Sequence, residues 1–306
     1  MRDAVASFVR WIASGPDFAA RPALAASSLL GIPKPQQPGE IRPLAIGSVW
    51  RRAAAALLLK YHRDTIERAL GDSQIGFTSC GREAVGLAIR LMLEKHPDFI
   101  VFKLDVRNAF NAICRAICLS ACLDRAAALL LMARFFYGDP ADLPTRTADG
   151  TSVSIKSQEG TQQGDPLGGP LFGMGFAREY LEPARAWLAR RCPAALLAAD
   201  WDDVITVAPA DVVADFLQWT ANGALARAGL TLRPEKCLVW SPHLLSADER
   251  AAFPEEVRVA PPSAGIIWAG IPFGTDDFVT SSVRGTIAAQ LDLVQDASGA
   301  YSHLHG

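Results

Sequence analysis

A chain of 306 residues, half of them hydrophobic and one fifth charged, can bury a large core, which excludes a disordered chain. Its net charge of -2 departs from the basic excess usual in nucleic-acid binders, unless basic residues gather on one surface and acids on another. The opening MRDAVASFVRWIASG has no uninterrupted apolar run of signal-peptide type, and stretches such as AAALLLM at 126–132 are too short to span a bilayer. A soluble, intracellular protein with no membrane partner is expected.

In chain order, Pro33-Lys34-Pro35 and Pro38-Gly39 make a loop into IRPLAIGSVW. RRAAAALLLKYHRDTIERAL, residues 51–70, predicts a helix closed by Gly71, and a second helix is expected over 83–95. FIVFKLD, residues 99–105, is a short apolar run after a His-Pro break and predicts a buried strand ending in Asp105. Residues 111–136 are helical and rich in Ala and Leu. Cys114, Cys118 and Cys122 fall there on one helix face as small buried hydrophobes, since the six cysteines lack metal spacing.

Gly138, Pro140 and Asp149-Gly150 then punctuate a hairpin reaching about residue 155, and QEGTQQGDPLGGPLFG is a shaped loop feeding a helix. AALLAAD and VITVA read as two short strands, followed by a helix capped at Asp211 and stopped at Gly229. GLTLRPEKCLVW and GIIWAGIPFG each bear a short strand. The order predicts an α+β fold, an antiparallel sheet backed by helices.

The chemistry concentrates in AADWDDVITV, where Asp200, Asp202 and Asp203 precede a buried strand. Charged groups avoid the interior unless paired or bound to a cation, so the acids either occupy a solvated turn or hold metal. Pairing this hairpin beside the strand that ends in Asp105 would bring three carboxylates together as a magnesium cage.

Several blocks in order resemble the reverse transcriptase domain of non-LTR retroelement or group II intron type, over about 33–274. IRPLAIGSVWRR resembles the fingers segment, FKLDVRNAFN the block with the first catalytic aspartate, and EGTQQGDPLGGPLF the QGDPLSP-type block. DWDDVITV stands in place of the YxDD hairpin, AGLTLRPEKC resembles the GLxLNxxK block and IWAGIPFG the LGxPxG primer grip. The resemblance implies a right-hand polymerase, with fingers over 1–98 and palm over 99–274, the latter with a fingers-side insertion at about 137–160. Residues 275–306 would be a truncated thumb or tail, leaving the thumb short or missing.

The resemblance also implies an RNA-directed DNA polymerase that joins dNTPs to a primer 3'-hydroxyl on an RNA or DNA template, using two Mg2+ or Mn2+ ions. On it Asp105 and Asp202 bridge the metals, Asp203 supports them and the Val106 carbonyl completes a site. Phe110 leaves no room for a 2'-hydroxyl, and Gln163 and Gly164 lie against the nascent pair, glycine permitting close approach. Arg42, Arg51 and Lys60 are candidates for the triphosphate, with a solvated helix face as the alternative for the last two. Lys236 serves the leaving pyrophosphate, while Gly270, Pro272 and Gly274 shape the primer-terminus turn.

Besides the short segment after Gly274, the hairpin departs from the pattern. Asp200 stands where the family has an aromatic or small residue, and Trp201 replaces a small or aliphatic one. Asp200 and the short or missing thumb leave open a rival from another class, a catalytically inactive or fragmentary polymerase-fold nucleic-acid binder; a two-metal nuclease or nucleotidyl cyclase is argued against by the QGDPL block. A eukaryotic retroelement source would place the protein in the nucleus.

Overall fold

The computed structural model describes residues 2–15, 19, 21–34 and 39–303. Pro35 and Pro38 of the expected loop lie outside the described residues. Helices α1 (Arg2–Ala13) and α2 (Arg21–Ala25) precede an antiparallel hairpin of β1 (Ser27–Pro33) and β2 (Ile41–Gly47). The helix expected over 51–70 is two helices, α3 (Val49–Tyr61) and α4 (Arg63–Leu70), broken at His62, whose φ of -104° and ψ of 21° leave the helical region. Ser48 caps α3 by accepting from the Arg51 N–H, and Gly71, at φ 73°, ends α4 in a conformation that suits glycine.

After α5 (Gly81–Lys95), strand β3 (Phe99–Leu104) forms the central strand of a five-stranded sheet. Its continuous apolar run follows from burial on both faces. Ile100, Phe102 and Leu104 join one hydrophobic cluster, and Phe99 and Val101 join the other. Helices α6 (Ala109–Ala112), α7 (Arg115–Arg125) and α8 (Leu130–Tyr137) fill the Ala- and Leu-rich stretch. Cys118 and Cys122 are buried on α7, where burial pushes each thiol up to about 12, as suits inert core side chains.

The expected hairpin is β4 (Ala141–Arg146) with β5 (Ser152–Ser157), and Thr145 of β4 donates to the Leu29 carbonyl of β1. Helix α9 (Gly168–Phe176) continues through one π turn into α10 (Glu182–Arg191). Strands β6 (Leu196–Asp200) and β7 (Asp203–Pro209) then form the acidic hairpin, followed by α11 (Ala210–Trp219). Asp211 lies in the first turn of α11, whose cap is Pro209, one correction to the expected boundary. The chain closes with β8 (Leu238–Trp240), α12 (Ala247–Ala251), β9 (Arg258–Ala260), the hairpin β10 (Ile266–Trp268) and β11 (Ile271–Phe273), and α13 (Asp276–His303).

The five-stranded sheet has the order β6-β7-β3-β8-β9. It is mixed, whereas an antiparallel sheet was expected: β9 runs parallel to β8 because the connection through α12 crosses over before pairing. Among the described residues no helix is long and apolar enough to cross a membrane.

Candidate active site

The register of the sheet decides what meets at its end. Leu104 of β3 pairs with Val204 of β7, so Asp105 emerges beside the end of the β6–β7 hairpin, where Asp202 lies in the turn and Asp203 opens β7. All three acids line one cleft of about 630 Å3. Beyond Leu104 the chain is held by a second ladder. The Arg233 N–H donates to the Asp105 carbonyl at 3.0 Å, the Arg107 N–H to Thr231, and Val106 bridges Leu232.

These carboxylates are taken out of water and face one another. Burial raises the Asp105 carboxyl above its ordinary range, with Arg233 and Lys236 acting against the shift. Burial, and then the charge of Asp203, push Asp202 up to about 7. A bound cation would relieve both. Among the described residues, however, no three acidic, histidine or cysteine side chains converge into a closed metal cluster. Asp203 is ion-paired to Lys103 at 3.4 Å. Asp105 and Asp202 therefore fit Mg2+ as it is commonly held by proteins, through one or two carboxylates with substrate phosphates completing the shell.

Asp200 is separate from this cleft. Its side chain is 6 % exposed, and its carboxylate accepts from Arg82 Nε of α5 at 2.6 Å. Burial still raises its carboxyl, against the pull of Arg82. The departure from the family pattern is thus an ion pair behind the hairpin and adds no acid to the cleft.

Trp201 explains how the tip is held. Its φ of 56° lies in the left-handed region, costly for a bulky residue and sustained only where the surroundings enforce it. Gln74 enforces it from one side, accepting from the Trp201 N–H at 2.8 Å and donating to the Trp201 carbonyl at 2.9 Å. Three glycines accept the ring on the other. A Cβ at Gly76 would come within 2.5 Å of it, and one at Gly169 or Gly173 within 3.1 Å. From a third direction the buried Trp268 of β10 donates its indole N–H to the Asp203 carbonyl at 3.0 Å.

The other expected residues divide. Val106, Phe110, Gln163, Gly164, Arg42 and Lys236 all line the cleft. Phe110 is half-buried and lies flat on Phe172, with centroids 4.5 Å apart. That pair begins a stack continuing through Phe176 and Tyr180 to Trp219. Gly164, at φ 96°, was expected to lie close to the nascent pair, and the close approach the structure holds is to protein backbone: a Cβ there would sit 3.0 Å from the Ala45 carbonyl oxygen of β2. The Ala45 N–H also donates to the Gln163 carbonyl at 2.8 Å.

Arg51 and Lys60 do not line the cleft. Lys60 is an exposed residue of α3. Arg51 is 1 % exposed and bound to Asp165, Ser27 and the Ala25 carbonyl. The reason is Asp165, itself buried in the QGDP loop, which takes Arg51 as its counter-charge and also accepts from the Tyr137 hydroxyl. Sequence reasoning missed Gln74, Trp268, Lys34 and Arg233. Trp268 lies inside the IWAGIPFG block, where only Gly270, Pro272 and Gly274 carried an expected role, whereas Gln74 carries no pattern at all.

No family model matches the chain. It is 27% identical over 215 residues to the Retrotransposable element SLACS 132 kDa protein of Trypanosoma brucei gambiense, a match spanning 70% of this chain and 17% of that protein. Among solved structures it is similar to apo telomerase from Candida tropicalis, with a TM-score of 0.59 at 11% identity, covering 89% of this chain and 52% of that one. Telomerase from Candida albicans in complex with a TWJ fragment of telomeric RNA gives 0.56 at 12% identity, covering 90% and 48%. Identities this low show the fold alone, and the chain spans about half the length of these telomerases. The resemblance to reverse transcriptase domains thus stands beside likeness in sequence to a retrotransposable-element protein and likeness in fold to telomerase.

Proposed function

We propose that this cleft is the centre of an RNA-directed DNA polymerase, which joins dNTPs to a primer 3'-hydroxyl on an RNA or DNA template. One observation carries the reading. Asp105 and Asp202, nearly a hundred residues apart, line one cleft together with Phe110 and Lys236. On this reading residues 1–98 act as fingers and 99–274 as palm, with 137–160 on the fingers side.

Asp105, Asp202 and the Val106 carbonyl would hold Mg2+, which when bound neutralises charge on the reacting phosphate oxygens. The chain's own contribution is placement. Arg42 and Lys236 meet the phosphates, Phe110 packs beneath the sugar and excludes a 2'-hydroxyl, and Gln163-Gly164 bounds the nascent pair against β2. The clamp on Trp201 keeps Asp202 in position while substrate binds.

The test is primer extension on RNA and DNA templates with magnesium or manganese, beside Asp202→Asn. Metal-dependent extension that the substitution abolishes supports the enzyme. The Asp203–Lys103 pair favours one other reading, a polymerase fold retained for nucleic-acid binding. Retained primer-template binding without any extension would establish that alternative.

A further inference from the structure

Three cations converge on one carboxylate at the cleft wall. Lys236 Nζ donates to Glu40 Oε1 at 2.7 Å, Arg233 Nη2 to the same oxygen at 3.3 Å, and Lys34 Nζ to Oε2 at 2.9 Å. All three basic residues line the cleft that holds Asp105 and Asp202. They come from two sides of it, Lys34 from the β1–β2 hairpin and the others from the segment laddered to Asp105. Arg233 has a second partner in Glu235, at 3.1 Å.

The arrangement has the chemistry of an anion site. One carboxylate presents two oxygens to three donors, as adjoining phosphate oxygens would, and a phosphate chain brings more charge than Glu40 supplies. Lys236 first and Lys34 second hold the Glu40 carboxyl down at about 2, so it stays ionised at any working pH. Glu40 is also 35 % exposed, so solutes reach it and its contacts can exchange.

We infer that Lys34, Arg233 and Lys236 form a subsite for a di- or triphosphate chain, and that Glu40 occupies it in phosphate's place until the ligand displaces it. The ligand class rests on the polymerase reading: the β and γ phosphates of a nucleotide, or released pyrophosphate. Glu40 thereby weakens retention of both, favouring pyrophosphate release at some cost in nucleotide affinity.

The test measures binding without primer or turnover. Inorganic pyrophosphate and, separately, a dNTP are titrated calorimetrically into the full chain and into Glu40→Gln, with thermal unfolding recorded for each. Glu40→Gln should bind pyrophosphate about tenfold more tightly, the scale of one charge-assisted contact no longer contested. The double variant Glu40→Gln/Arg233→Ala should lose that gain. An equal gain for the dNTP assigns the subsite to the β and γ phosphates, and a gain for pyrophosphate alone assigns it to the product. In the unmodified protein, pyrophosphate should slow acetylation of Lys34 and Lys236 but not of exposed Lys60. A folded Glu40→Gln with unchanged affinity overturns the inference, as does the absence of lysine protection if that variant does not fold. A chain that extends primers yet shows neither effect keeps the polymerase reading and loses this one, whereas the reverse pattern keeps the subsite.

Discussion

Trp268 donates its indole N–H to the main-chain carbonyl of Asp203 across 3.0 Å, tying the β10–β11 hairpin to the turn that carries Asp202. The resemblance assigned that hairpin to the primer terminus through Gly270, Pro272 and Gly274. The structure adds a direct bond between it and the acids. Trp268→Phe removes the donor and leaves a small void at a fully buried site, so it should cost about 1–3 kcal/mol in a denaturant titration. It should also lower the extension rate more than primer affinity, as single-turnover kinetics would separate.

Asp202→Asn should raise the unfolding midpoint of the metal-free chain. Asp202 is crowded by the charges of Asp203 and Asp105 in a site removed from water, and a neutral amide ends that repulsion. The same substitution should abolish any rise in midpoint when Mg2+ is added. Scanning fluorimetry with and without metal checks both, and a metal-free variant less stable than its parent would contradict the reading of the site.

Arg51→Met should destabilise by about 3–5 kcal/mol, because it leaves Asp165 charged and buried without its partner. Urea denaturation measures this. Since Arg51 lies outside the cleft, the folded fraction should keep its dNTP affinity; a specific loss there would restore Arg51 as a phosphate ligand.

Gly76→Ala places a methyl within 2.5 Å of the Trp201 ring. It should destabilise the parent strongly and a Trp201→Ala background much less, a coupling of about 1–3 kcal/mol in a double-mutant cycle. Additive effects would show that the ring does not depend on the glycine slot.

Phe110→Ala should admit rNTPs, read as the ratio of rNTP to dNTP incorporation. Because Phe110 also ends the stack on Phe172, the change should cost at least about 1 kcal/mol of stability. Phe110→Val, which keeps more of the apolar contact, should relax sugar selection with a smaller penalty.

Much of this architecture was legible in the chain because it obeys local rules. FIVFKL and VITVA are apolar enough to be strands buried on both faces, and their pairing brings Asp105 to Asp202 and Asp203. Other features depend on partners distant in sequence. A charge pattern shows Arg51 on a helix but not that Asp165, 114 positions later, takes it into the core. Asp200 looked like part of an acidic cluster because spacing cannot reveal Arg82 behind it. The parallel pairing of β9 rests on three residues, too few for a periodic signal. His62 splits its helix without either Gly or Pro to announce the break.

The seat under Trp201 also constrains how such a chain can vary. Its ring fits because side chains are missing at Gly76, Gly169 and Gly173; while the ring is there Gly76 and Gly169 tolerate little else, and Gly173 is crowded by Leu70 as well. Shrinking the tryptophan alone leaves a void, and enlarging a glycine alone makes a collision. The four positions therefore form an epistatic unit, whose order of substitution matters more than the cost of any one step. A chain of this fold with a small residue at that tip has room for side chains at the glycine sites, on two separate segments.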